Sequence, residues 1–349
     1  MPAGLTGRHA FPQGAAISTC MTFSNVIAVL LAGLLASCSA PQTRQLDSQL
    51  HGLESQQQLL AVSYFPQTLY QCGPAALASA LNYRGVSVTP EQLIDQVFIP
   101  ARKGSLPLEM TAAVRSEALL PYPVDHHIKA LLEEIEAGNP MLVLQNLGFD
   151  WWPQWHYAIV IGFDLVEQDF ILHSGTQKNY RIAFSTFERT WSRADHWGLV
   201  IVKPGQIPAS ASELTYLRTV HDMELVNPKL DPTPMYQAAH QRWPSSPLPL
   251  LSSANSDYRR GNIDRAMKSL QQLLRDHPTN SQAWNNLAYV ARDRQCYQLA
   301  VYAAQTAFKL APQNDGIATT LDEMTNLPST PDSEQCSKLY PLDPPDSDN

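Results

Sequence analysis

A cysteine placed where a helix begins is the feature of this sequence best suited to covalent chemistry. In YFPQTLYQCGPAALASAL, Cys72 precedes Gly73 and Pro74, and the run from Pro74 to Tyr83 has a helical pattern. Unpaired backbone N–H groups and the positive dipole end of a helix stabilise a thiolate, so we expect a low pKa for the Cys72 thiol. Gln67, five residues upstream, could direct its amide at an oxyanion that forms beside the Cys72 backbone N–H.

A base for this thiol is offered by His156, which lies 84 residues later at the start of the apolar run HYAIVIGFD. The run is typical of a strand, and a histidine at the end of a strand is expected at an open rim. Trp151, Trp152 and Trp155 precede it and are expected either to wall a cleft or to belong to the core. A thiol and an imidazole are the pair that nucleophilic acyl transfer requires.

The segments QCGPAAL and HYAIVIGFD resemble the papain-fold peptidases of cysteine peptidase family thirty-nine, which include the bacteriocin leader peptidases. The resemblance extends from Leu59 to about Pro204. It implies an α+β papain-like domain, with a helical lobe and an antiparallel sheet. It also implies cleavage of a peptide bond through an acyl-enzyme, with Cys72 as nucleophile, His156 as general base and Gln67 as oxyanion donor.

The third catalytic position departs from that resemblance. The family usually ends the next strand with an Asp-Pro pair, whereas this chain has FILHSG, with Ser174 at the Asp position. A hairpin centred near residue 165 or 166 places residues 174 to 176 opposite His156, so Ser174 or a nearby backbone carbonyl is expected to orient the imidazole. Asp164 and Asp195 are substitutes from elsewhere in the chain, although Asp164 lies at the far end of the strand that His156 begins.

A metal site is the alternative chemistry for these side chains. Its ligands would come from one of two sets, namely Cys72, His156, His173 and His196, or Asp125, His126 and His127. Neither set has a familiar ligand spacing, so we predict no metal and no other cofactor.

The elements that must position Cys72 and His156 follow from changes in hydrophobic period. Helical patterns continue at Thr89–Gln96, Leu108–Ala118 and Ile128–Ala137, and short β-rich runs follow at Met141–Asn146, His156–Phe163, Asp169–Leu172 and Leu199–Lys203. The short connection from Asp164 to Gln168 predicts that the strands beside it are antiparallel neighbours. A helical lobe followed by a sheet is therefore expected over residues 59–204.

A second region of the chain repeats itself. Ala266 and Pro278 recur as Ala300 and Pro312, both offset by 34 residues, which is the tetratricopeptide period. We therefore expect an all-α tetratricopeptide helical hairpin array at residues 250–326, following the papain-like domain. An array this short needs capping helices, docking on the first domain or a partner. Residues 205–249, with seven prolines, are predicted to be a linker, and residues 327–349 a disordered tail.

The N-terminal segment has the composition of a targeting signal. No acidic residue precedes Asp47, and the apolar run Val26–Leu35 is too short to span a bilayer comfortably. The sequence Leu35-Ala36-Ser37-Cys38 resembles a lipobox, which implies a signal peptide at residues 1–37, acylation of Cys38 and a tether at residues 38–58. The stretch from Met21 to Leu30 lacks Lys and Arg. Either Arg8 and the free amino terminus supply the positive end, or the start is Met21 and residues 1–20 are misannotated.

The predicted compartment decides how the cysteines are assigned. Ser39 is not Asp, so the resemblance to lipoproteins implies sorting to the outer membrane, with the protein facing the oxidising periplasm. Of the five cysteines, Cys20 and Cys38 belong to the leader. Cys296 and Cys336 could pair, which would leave Cys72 free.

Two functions of different classes fit these features. The first is a lipid-anchored envelope peptidase whose repeats recruit a peptide or protein substrate, or a protein partner. The second is a catalytically silent adaptor that binds a peptide, which the missing Asp favours. In both the lipid anchor holds the chain on a membrane. The net charge of -8 and the pI near 5.7 argue against a nucleic-acid partner.

Overall fold

A seven-stranded antiparallel sheet organises the first part of the chain. The computed structural model describes residues 40–46, 52–66, 71–328 and 333–337. The predicted signal peptide, Cys38 and Gln67 lie outside these residues. The chain divides into two units, Met1–Pro41 and Gln42–Asn349, and the account below concerns the second. No helix in the described ranges is long and apolar enough to cross a membrane.

The strands are β1 (Gln56–Gln58), β2 (Leu120–Pro123), β3 (Met141–Asn146), β4 (Trp155–Asp164), β5 (Asp169–Ser174), β6 (Gln177–Ala183) and β7 (Gly198–Val202). Their order is β2-β7-β3-β4-β5-β6, and β1 pairs with β4. The predicted antiparallel pairing of the strands on either side of residues 164–168 is confirmed, because β4 pairs with β5 from Ile159–His173 to Asp164–Asp169. Three strands were not predicted: β2 contains two prolines, and β1 and β6 are mostly polar.

Helices cover the sheet and form the helical lobe. They are α1 (Pro41–Gln45), α2 (Cys72–Tyr83), α3 (Pro90–Val97), α4 (Pro107–Ser116), α5 (Ile128–Glu136) and α6 (Phe184–Ser192). The four helices predicted in this region are confirmed as α2 to α5. Helix α2 is buried from Gly73 to Leu81, and it packs against β4 in the main hydrophobic core. A helix buried over that length holds its first residue, Cys72, in a fixed place beside the sheet.

The predicted tether is partly folded, which corrects the expectation for residues 38–58. In α1 the backbone N–H groups of Gln42 and Thr43 donate hydrogen bonds of 2.9 and 2.8 Å to the Glu188 carboxylate of α6. Glu188 is buried, and a buried carboxylate must be hydrogen-bonded, so it holds this polar segment against the domain. Leu46 joins the same core, and β1 extends the sheet.

Residues 205–249 were predicted to be an irregular linker, and this prediction is wrong for most of the segment. It contains α7 (Glu213–Val226) and α8 (Thr233–Arg242). Their apolar side chains, including Tyr216, Met223 and Met235, are buried in the core of the first domain. Pro234 lies in the first turn of α8, where a proline costs the helix no hydrogen bond. The prolines of this segment therefore do not mark irregular chain.

A helical array with its own core follows. It comprises α9 (Leu248–Arg259), α10 (Ile263–Asp276), α11 (Ser281–Asp293), α12 (Tyr297–Leu310) and α13 (Asp315–Thr325). Asn280 and Asn314 cap α11 and α13 in the same way, each accepting a hydrogen bond from the backbone N–H three residues later. The all-α array expected from the repeat is therefore present, and its assignment as tetratricopeptide repeats stays a prediction.

The buried Glu224 carboxylate joins the first domain to the array. It accepts hydrogen bonds from Tyr236 of α8 at 3.0 Å and from Ser256 of α9, and Arg259 forms an ion pair with it at 3.0 Å. These partners lie on successive helices, so the hydrogen bonds and the ion pair of Glu224 link α7, α8 and α9 where the two cores meet.

The predicted cysteine pairing is confirmed. Cys296 and Cys336 form a disulfide, and Cys72 is the free cysteine of the described residues. Cys336 lies in α14 (Glu334–Ser337), within the tail that was predicted to be disordered. That prediction is wrong for this helix, because a covalent bond holds it on the array core.

Candidate active site

The thiol and the imidazole line one cavity. The cavity has a volume of about 960 Å³, and its wall includes Cys72 at the start of α2 and His156, the second residue of β4. The backbone N–H of Tyr157, the residue after His156, lies close enough to the Cys72 sulfur to lower the pKa of the thiol. The two residues that sequence spacing singled out are thus brought to one place, where the beginning of a helix meets the beginning of a strand.

Ser174, the last residue of β5, contacts the imidazole. Its Oγ lies 2.8 Å from Nε2 of His156. If Nε2 carries the ring proton and donates a hydrogen bond to Ser174 Oγ, Nδ1 is unprotonated. Nδ1 is then the ring atom that can accept a proton from a thiol. The structure therefore places Ser174 beside the imidazole, as the hairpin register predicts, and a hydroxyl brings no negative charge there.

The two aspartates considered as substitutes lie elsewhere. Asp164 is at the opposite end of β4, where it accepts hydrogen bonds from the backbone N–H groups of the β4–β5 turn and forms an ion pair with Arg181 at 2.6 Å. These partners lower the pKa of its carboxyl group. Asp195 is an exposed turn residue with φ of 50°. Asp164 therefore has a local structural role in the β4–β5 turn.

The expectation of a low thiol pKa is wrong. Burial raises the pKa of Cys72, and this effect outweighs the hydrogen bonds from the backbone N–H groups of Tyr157, Gly73 and Cys72, which lower it. Burial also lowers the pKa of His156. Desolvation disfavours the charged form of both groups. The resting site at neutral pH therefore holds an uncharged thiol and an uncharged imidazole.

This resting state predicts the pH dependence of thiol reactivity. The thiolate is the reactive form, and the pKa of Cys72 lies above the ordinary 9.0. Alkylation by iodoacetamide should therefore accelerate about tenfold per pH unit through the neutral range, without levelling off. The measurement is the rate of Cys72 modification followed by mass spectrometry of the intact protein. A rate that is already constant below about pH 7 would instead indicate a thiolate–imidazolium pair.

Two polar groups of the cavity wall were not predicted from the sequence. The Ser105 hydroxyl and the Tyr157 phenol are buried and have no hydrogen-bond partner among the described residues. A Cβ added at Gly73 would lie 2.3 Å from Ser105 Oγ, so glycine at this position makes room for that side chain. Only the fold identifies Ser105, because nothing in its sequence surroundings distinguishes it from an ordinary loop serine.

The other candidate side chains lie at different places in the domain. Trp155 lines the cavity, whereas Trp151 and Trp152 are exposed on the loop before it, so these two belong to neither the core nor the cavity wall. His173 is buried and contacts the Val62 carbonyl. Within the described ranges, no three His, Cys, Asp or Glu side chains are grouped so that they could hold a metal ion.

Comparison with known proteins adds a family match. Residues 59–198, less than half of the chain, match the model of the "Peptidase_C39 like family". No curated protein matches the chain. A solved structure of a C39-like protein from Bacillus anthracis is 14% identical, with a TM-score of 0.35, and the alignment covers 43% of this chain and 98% of that one. The family match and the antiparallel sheet with its helices give the first domain a papain-like α+β fold of the cysteine peptidase type.

Proposed function

We propose that the chain is a lipid-anchored envelope cysteine peptidase that uses Cys72 and His156 to cleave a peptide bond. The observation that carries this proposal is the single cavity lined by a thiol at a helix start and an imidazole at a strand start. A cavity of about 960 Å³ has room for several residues of an extended peptide.

The proposed reaction begins with the uncharged pair. As the Cys72 sulfur attacks the carbonyl carbon, His156 accepts the thiol proton, and the carbonyl oxygen becomes an oxyanion. The backbone N–H of Cys72 and the Gln67 amide are the proposed donors to that oxyanion. When the tetrahedral intermediate collapses, His156 gives the proton to the departing amine and a thioester remains. Water, deprotonated by His156, then attacks the thioester and releases the carboxyl product and the thiol.

The envelope location rests on the lipobox-like sequence at Cys38 and on the disulfide. A bond such as Cys296–Cys336 persists in oxidising compartments, which agrees with export. The helical array is proposed to recruit the substrate or a protein partner, since short helical repeats present extended binding surfaces.

A catalytically silent adaptor is the second candidate. It is favoured by the serine at the position where the family usually has Asp, and by the raised pKa of the Cys72 thiol. An adaptor would use the cavity to hold a peptide without cleaving it.

The two candidates are separated by comparing envelope peptides from cells that express the wild type or Cys72→Ala. The peptidase predicts cleavage products that are present with the wild type and absent with the variant, and loss of labelling of the variant by a cysteine-directed covalent probe. Equal peptide profiles and retained labelling would remove the peptidase assignment. Products that carry a new amide instead of a carboxyl group would indicate transfer of the acyl group to an amine.

A further inference from the structure

The loop between β3 and β4 exposes an unusual amount of aromatic surface. Phe149, Trp151 and Trp152 are 65%, 79% and 66% exposed, and we call these three residues the aromatic tip. Single exposed apolar residues are common on soluble proteins, but three large aromatic side chains within four positions form a patch that calls for a partner.

The loop is built to hold the aromatic tip outward. Asn146, which is buried, accepts hydrogen bonds at its Oδ1 from the backbone N–H groups of Gly148 and Gln154, at 3.0 and 2.9 Å. Phe149 and Trp152 exchange two backbone hydrogen bonds, and the rings of Phe149 and Trp151 stack with centroids 5.5 Å apart. A Cβ at Gly148 would lie 2.3 Å from the Trp152 carbonyl oxygen. These contacts hold the aromatic tip away from the core.

The start of the described chain is fixed at the same end of the sheet. The Gln42 side chain donates to the His126 carbonyl and accepts from the Ile128 backbone N–H, both at 2.8 Å. The His126 ring stacks on His196, and both line a second cavity whose wall also includes Trp155. Gln42 is therefore held close to the base of the loop that carries the aromatic tip.

The length of chain before Gln42 limits where a lipid anchor would be. Cys38 is four residues upstream, and four extended residues span at most about 14 Å. A lipid on Cys38 would therefore keep this end of the sheet next to the bilayer surface.

From these observations we infer that the aromatic tip docks in the interface of the bilayer to which Cys38 is anchored. The inference rests on the lipid anchor of the proposed function. Tryptophan is enriched at membrane interfaces because its ring is apolar while its N–H finds polar partners there. The loop sequence LGFDWWPQ contains no Lys or Arg, so apolar contact and not attraction to anionic lipid would hold it.

Docking there would also select the substrate. Pro153, Gln154 and Trp155, which follow the aromatic tip directly, line the cavity that contains Cys72. The peptides that reach the thiol are then segments lying close to the membrane surface, such as the membrane-proximal chains of anchored proteins.

The test uses the full chain in vesicles of phosphatidylethanolamine and phosphatidylglycerol whose acyl chains are brominated near the headgroup. Bromine quenches tryptophan that enters the interface, so we expect quenched emission from the wild type. In Trp151→Ser/Trp152→Ser the quenched signal should fall about threefold, since Trp155 is the remaining exposed tryptophan of the described residues. The matched control is Val166→Ser, an exposed apolar residue at the opposite end of β4, which should leave the quenching unchanged.

The outcomes separate this inference from the proposed function. An unquenched wild type, or equal quenching in the wild type and the double variant, overturns the inference. The same holds if the double variant keeps its quenching but cleaves soluble peptide more slowly, because the aromatic tip would then bind substrate. Mass spectrometry of Cys38 tests the anchor, and probe labelling of Cys72 tests the peptidase, each independently of quenching.

Discussion

Replacing Cys72 or His156 by Ala is expected to lower kcat/KM for peptide cleavage by about a millionfold, with the double replacement costing no more than either single one. The reason is that the thiol and the imidazole act as one unit: neither the attack nor the proton transfer proceeds without the other. The measurement uses a peptide identified from the envelope comparison, with the melting temperature of each variant as a control for folding.

The Ser174→Ala variant is expected to lose much less activity than the Cys72 and His156 variants. The Ser174 hydroxyl forms a single neutral hydrogen bond with His156, and losing such a bond costs about 1 kcal/mol, or about a fivefold loss in rate. A Ser174→Ala loss as large as that of His156→Ala would mean that the hydroxyl does more than orient the ring. Losses that multiply in the Cys72/His156 double variant would contradict the assignment of the two residues to one reaction.

Removing the disulfide, by Cys296→Ser with Cys336→Ser, is expected to lower the free energy of unfolding of the helical array by about 4 kcal/mol. The two cysteines are 40 residues apart, and a cross-link over that length removes this much loop-closure entropy from the unfolded chain. Urea unfolding followed by hydrogen exchange at the backbone N–H groups of α11 and α12, which belong to the core of the array, measures the change within the array.

Two comparisons test whether the disulfide itself accounts for this change in stability. The wild type treated with a reducing agent should unfold at the same urea concentration as the double variant, and reduction should leave the double variant unchanged. An unfolding midpoint that is equal in the oxidised wild type and the double variant would show that the bond adds no stability to the array.

The local features of the site could be predicted from sequence because short-range patterns determine them. Pro74 and the apolar run after it specify a helix that begins beside Cys72, and the apolar run after His156 specifies a strand. The short β4–β5 connection sets the register, and the register brings Ser174 to the imidazole. The 34-residue repeat was also readable, since a repeat is found by counting along the chain, and the possible pairing of Cys296 with Cys336 followed from the predicted leader and compartment.

Properties that depend on burial could not be predicted in this way. The position of Cys72 at the start of a helix predicted a low pKa of its thiol, but the surrounding elements bury the sulfur and raise the pKa. The polar segment at Gln42 was expected to be a tether, and the buried Glu188 carboxylate, 146 residues away in sequence, holds it against the domain. A short stretch of sequence around Cys72 or Gln42 contains neither the elements that bury the sulfur nor Glu188.

The sequence by itself singled out Cys72 and His156 as the candidate pair, the helices α2 to α5, four of the seven strands, and Cys296 and Cys336 as cysteines that could pair. Tertiary structure alone decided the charge state of the thiol, the packing of the proline-rich segment as α7 and α8, and the exposure of the aromatic tip. The physical reason is that hydrogen-bonding pattern and side-chain period are local, whereas desolvation is set by every group that the fold brings to one place.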